Sequence, residues 1–254
     1  MVGPQKKVKN IIKESVLYYP ACHIRRYAIR VNSQSQKIKS TLQNTAPIFP
    51  LKLYMVNPSD INTMLTDSFE NRYYRTLSPV MGGNWDLNTK DMMDYDLFRS
   101  IYRHFTKNIS WEDTDFYPRV KKEIENTNNW VKWGCKNFRE FQSRLNDLDS
   151  LHSKIEDSGY KTQRELKHSG GNFKDYCVPP EYHEVTVHIS RSGKLIFHEG
   201  RHRLAIAQAL ELDEIPVRIM VRHNKWQSKR TEIHQNNEVE DRGILKHPDI
   251  RELV

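Results

Sequence analysis

The run His198-Glu199-Gly200-Arg201-His202-Arg203 gathers two arginines, two histidines and a carboxylate around one glycine. Arg201 and Arg203 carry fork-shaped donors that match phosphate oxygens. His202 can donate a hydrogen bond or move a proton near neutral pH, and Glu199 is a candidate base or metal ligand. A glycine ahead of a helix lets the chain approach a ligand closely, and the first helical amides lack intrahelical partners at the positive end of the dipole. The chemistry such a group supports is phosphate binding, with Glu199 and His202 available for catalysis. The same letters also suit a solvated basic helix start, although cations there run against the dipole.

The flanking elements must hold this group in place. Val185, Val187 and Ile189 alternate with Thr186, His188 and Ser190; Ser192-Gly193 offers a turn, and Leu195-Ile196-Phe197 a second strand. This predicts a hairpin. Leu204 to Leu212 reads as a buried helix, and Ile215 to Val221 alternates again as a strand.

A hairpin leading into Gly-x-(His or Arg)-Arg, a small-residue helix and an Ile-Pro-Val strand resembles the ParB and sulfiredoxin superfamily, over residues 149–222 and an opening strand near 53–61. The resemblance implies an α+β fold, a small mixed sheet with packed helices, and a phosphate turn at Gly200, Arg201, His202 and Arg203. Gly200 falls on the family glycine, Arg203 on its arginine, and Ala205 and Ala207 in the helix that follows. Sulfiredoxins carry cysteine directly after that glycine; Arg201 stands here, so sulfiredoxin activity is not expected. Partition proteins carry glutamate there and then two arginines, so transfer of their nucleotide hydrolysis is weakened. His202-Arg203 sits closer to the serine-kinase branch, whose turn reads Gly-His-His-Arg. ATP or CTP, with Mg, is the implied cofactor, and a nucleotide, DNA or RNA the implied partner. Leu53 to Ile61 resembles the superfamily's opening strand and turn, which would face Asp60 toward the phosphate turn as the catalytic base; Asp60 equally fits a turn or cap residue. Helix, Gly159 and Gln163 compare with the helix-Gly-x-x-Gln segment before the family hairpin.

Residues 66–136 form an insertion that this core does not require. They are rich in aromatics, including Tyr73, Tyr74, Trp85, Phe98, Trp111, Phe116, Trp130 and Trp133. These residues can line a sugar or nucleobase pocket or form the core of a mainly helical subdomain. Leu97, Ile101 and Phe105 keep helical spacing behind Asp94 and Asp96, and Ser110 and Asp113 resemble a capping pair. From Asn137 onward, Phe138, Phe141, Leu145, Leu148, Leu151 and Ile155 predict a long amphipathic helix, with Arg144 on its solvated face.

The chain of 254 residues has net charge +8, and residues 1–52 hold ten Lys or Arg against the single acid Glu14. Residues 1–45 therefore read as a basic arm, with Lys6, Lys7, Lys9, Arg25 and Arg26 as candidate nucleic-acid contacts; a solubilising arm explains the charge equally well. Residues 46–225 read as the domain that carries the insertion, and 226–254 as a polar tail without chemistry. No apolar run is long enough for a membrane span or a secretion signal, so no membrane partner and a cytoplasmic location are expected. Cys22, Cys135 and Cys177 are odd in number and far apart, so neither a disulfide nor a zinc framework is expected, and no metal ligand is assigned. Three functions follow: a nucleotide-dependent phosphotransferase or hydrolase, a ParB-like DNA-binding protein or nuclease, and a non-catalytic nucleotide-binding protein.

Overall fold

In the computed structural model, which describes residues 18–67, 79–126, 134–168, 177–236, 242–251 and 253, the alternating run from Ile215 becomes an interior strand of a mixed sheet. The elements run α1 (Tyr18–Leu42), β1 (Leu53–Val56), β2 (Thr63–Leu65), β3 (Val80–Met81), β4 (Thr89–Asp91), α2 (Asp96–Lys107), α3 (Phe116–Asn126), α4 (Phe138–Ser158), α5 (Gln163–His168), β5 (Val185–Ile189), β6 (Leu195–Glu199), α6 (Arg201–Ala209), β7 (Ile215–His223) and α7 (Asn224–Asn236). The fold is α+β. The strand order is β1-β7-β5-β6-β2-β4, and β3 pairs with the end of β7. β5 and β6 form the expected antiparallel hairpin, while β5 runs parallel to β7. Its turn needs Gly193, which has φ +91°, because an added Cβ would lie 2.5 Å from the Trp226 ring.

Every residue of β5 and β7 is buried. Their alternation therefore separates two packed faces, not a dry face and a wet one. Helix α6 packs on β5 and is itself covered by α2 and α4, while α7 packs on β7 and β3. Local signals set α4: Asn137 caps it by accepting from the Glu140 amide at 2.9 Å, Glu140 in turn accepts from the Lys136 amide, and Gly159 at φ +74° ends it. Phe141 and Leu145 face inward from it.

The described residues of the segment 66–136 are woven into this core. They supply β3 and β4, and Phe98, Trp111 and Phe116 share one apolar cluster with Leu204 and Val217. The described aromatics therefore act mainly as core, because the sheet and α6 offer them the apolar surface that a separate subdomain would lack. Tyr73, Tyr74, Trp130 and Trp133 lie outside the described residues.

Three further expectations are corrected. Residues 18–42 of the basic arm form α1, in which Pro20 is tolerated because it falls in the first turn. The chain after α1 is pinned to α7, since Ala46 accepts from Gln227 Nε2 at 2.8 Å and donates to Thr231 Oγ1 at 3.2 Å. Cys22 and Cys177 are joined in a disulfide across 155 residues, a juxtaposition made by the fold that sequence spacing cannot reveal; Cys135 is buried and free.

The supposed polar tail closes the core. Trp226, Arg230, Ile233, Asp249 and Ile250 are all buried. Asp249 accepts from Arg222 at 2.7 and 2.9 Å and from Trp226 Nε1 at 3.0 Å, and it lies 3.0 Å from Arg230 Nε. Burial works to raise the Asp249 pKa, but Arg222 and Arg230 hold it below the ordinary carboxylate value. The polar letters of this segment pair buried charges, which would be costly alone.

Candidate functional site

β6 delivers its C-terminal end to Gly200, and α6 begins at the next residue. Gly200 takes φ +96°, a left-handed conformation. A Cβ there would meet Val185 Cα at 2.8 Å and Val185 Cγ2 at 2.9 Å. Both the backbone conformation and the close approach to β5 therefore demand glycine. The turn places the first amides of α6 at its positive end, and the Gly200 cap makes no side-chain hydrogen bond to them.

The two arginines of the turn have different surroundings. Arg203 donates to Glu184 at 2.8 Å and to the Lys161 carbonyl at 2.7 Å, and its guanidinium lies 4.2 Å from the Tyr160 ring centre. Glu184 also accepts from the Gln163 amide at 2.6 Å, so one carboxylate ties α6 to α5 and to the entry of β5. Burial raises the Glu184 pKa against the opposing pull of Arg203. Arg203 is thus engaged within the protein. Arg201 is only partly buried; it donates to the Tyr95 hydroxyl and lies 5.3 Å from that ring's centre.

His202 is mostly buried, and its pKa is lowered to about 4 by burial first and then by Arg201 and Arg144. At neutral pH it is an uncharged imidazole beside two positive charges. It suits hydrogen bonding better than proton uptake. Glu199 stays partly exposed at the end of β6, paired across the hairpin with Thr186. His198 stands 4.8 Å from the fully buried His188.

Asp60 does not join this group. It is exposed in a 3-10 turn, Pro58–Asp60, and lines a 570 Å³ cavity with Lys194, Leu195, Lys229 and Lys246. Lys194 and Leu195 mark the opposite end of β6 from Gly200, roughly 17 Å away at about 3.3 Å per residue. The parallel pairing of β2 with β6 causes this separation, because Thr63 is opposite Ile196. Asp60 is therefore not positioned as a base for the Gly200 turn. Arg25 is exposed on α1 and Arg26 is half-buried against the body, whereas Lys6, Lys7 and Lys9 lie outside the described residues.

Tyr95, Arg144, Tyr160 and Glu184 are the site residues that sequence reasoning missed. Glu184 meets Arg203 across 19 positions and Tyr95 meets Arg201 across 106, and no local pattern announces either contact. Arg144 read as part of a solvated helix face, yet its charge acts on His202. Among the described residues, no group of three or more His, Cys, Asp or Glu is placed to hold a metal ion, and no helix is long and apolar enough to cross a membrane. The turn's amides and guanidinium groups suit phosphate oxygens; they are not donors that ligate Mg. Comparisons of the chain with protein-family models, curated proteins and solved structures return no match.

Proposed function

We propose that the protein binds the phosphate of a nucleotide at the Gly200 turn. The observation that carries this reading is the state of Arg201: its hydrogen bond goes to the neutral Tyr95 hydroxyl, whereas the Arg203 charge is balanced by Glu184. Arg201 therefore adds positive charge to the positive end of α6, with Arg144 nearby. An incoming phosphate offsets that charge and accepts from the first helical amides. The resemblance to the ParB and sulfiredoxin superfamily supports ATP or CTP as the nucleotide.

Phosphate transfer or hydrolysis at this turn takes Glu199 as its base, since Asp60 lies at the other end of β6. The protein's part would be charge stabilisation by Arg201 and the amides, with no covalent step. Any Mg would enter with the nucleotide, and Glu199 is the carboxylate at hand for it.

A thermal-shift panel of ATP, CTP, GTP and UTP on the wild type and Arg201→Ala tests the reading. A nucleotide at about 100 times its Kd adds about 2.7 kcal/mol of stability. The wild type is expected to gain stability with ATP or CTP and the variant to gain much less. Equal shifts in both proteins, or none in either, count against the reading. Product formation over hours then separates turnover from binding as a switch.

A further inference from the structure

Helix α1 is amphipathic with its faces reversed. Cys22, Ile29 and Ser40 are buried, and Arg26, Ser33 and Gln36 are half-buried. Their spacing of three and four residues marks the face turned to the body, and that face is mostly polar. The opposite stripe holds Ile24, Tyr27, Val31, Ile38 and Leu42, exposed by 70%, 71%, 50%, 60% and 82%. These steps of three, four and seven residues keep one side of a helix. Arg25 and Lys39 fall on one flank of the stripe, with Arg30 and Lys37 on the other, and all four are exposed. The 25 residues of α1 contain no Asp or Glu.

We infer that α1 lies along an anionic lipid surface, with its apolar stripe at the boundary of headgroups and acyl chains and its arginines and lysines on the headgroups. This site is separate from the Gly200 turn. Both features of the helix are needed to choose the occupant. Nucleic acid would satisfy the basic flanks, but aliphatic Ile24, Val31, Ile38 and Leu42 offer no stacking surface for bases. A second copy would cover the stripe but would bring two acid-free helices together. An anionic bilayer accepts the apolar stripe and matches its charge. The expected absence of a membrane partner rested on the lack of a spanning segment, and a helix that lies on the surface needs none.

Vesicle flotation of the full chain tests this, using phosphatidylcholine vesicles with and without phosphatidylserine. The variants are Ile24→Ser/Val31→Ser/Ile38→Ser and Arg25→Gln/Arg30→Gln/Lys39→Gln. These positions are exposed, so both variants should keep the wild-type circular dichroism melt, which serves as the folding control. The wild type is expected to float only with phosphatidylserine present, and each variant to lose roughly tenfold or more in affinity. Failure of the wild type to float, or flotation of both variants like the wild type, overturns the inference. So does sedimentation as a dimer that the Ser variant abolishes without any flotation, which assigns the stripe to a second copy. DNA retention that the Gln variant loses and the Ser variant keeps, again without flotation, assigns the helix to nucleic acid.

Discussion

Arg203 donates to Glu184 at 2.8 Å with both side chains almost out of solvent, 12% and 1% exposed. This pair divides the labour of the turn. Arg203 holds α6 to α5 and β5, whereas Arg201 donates to the Tyr95 hydroxyl and is the arginine proposed to meet the phosphate. Removing one partner of such a pair strands the other charge in a dry site. Arg203→Ala should therefore cost about 3–5 kcal/mol by denaturant unfolding. A loss below about 1 kcal/mol would show that the pair contributes little to the fold.

Acid should weaken the protein through its histidines. The His202 pKa falls from the ordinary 6.5 to about 4 on folding, and burial lowers those of His188 and His247 as well. A depressed folded-state pKa means that the unfolded chain takes up protons first. The contribution is full above pH 6.5 and is lost as pH falls from there toward pH 4, with His202 accounting for about 3 kcal/mol. Chemical denaturation across this window should show a shallower fall for His202→Gln than for the wild type. Parallel curves would mean that His202 does not titrate as its burial and neighbours require.

Asp249 should matter far more than its place near the C-terminus suggests. It neutralises Arg222 and Arg230 inside the core. Asp249→Asn leaves two buried guanidinium groups without a counter-charge and should cost about 3–5 kcal/mol by denaturant unfolding. Stability within about 0.5 kcal/mol of the wild type would place this network outside the folding core.

Thiol titration of protein denatured without reductant should find one free thiol, Cys135, and three after reduction. Three thiols before reduction would mean that Cys22 and Cys177 are not bonded in the isolated protein.

What the sequence disclosed follows the range of the forces involved. Helix α4 was legible because its apolar spacing, the Asn137 cap and Gly159 all act within a few residues. The β5–β6 hairpin was legible for the same reason, with Gly193 at its turn. The strand-to-helix turn at Gly200 could be located, but the division between Arg201 and Arg203 could not, since it depends on Tyr95 and Glu184 arriving from elsewhere in the chain. Asp60 was misplaced because a parallel pairing of β2 with β6 sets its end of the sheet, and no local signal reports that register. The residues from Trp226 onward read as polar tail for a similar reason: Arg230 and Asp249 look like surface charges until Arg222 is found beside them. Helix α1 escaped notice because its apolar stripe turns away from the core.

The central claim is that the first amides of α6 receive a phosphate. Chemical-shift mapping with ¹⁵N-labelled protein and ATP or CTP tests it most directly, with Arg201→Ala as the comparison. The account predicts that the largest amide shifts fall on Arg201, His202 and Arg203 and diminish strongly in the variant. Shifts centred instead on Lys194, Lys229 and Lys246 around the cavity near Asp60, or no shifts at saturating nucleotide, would contradict it.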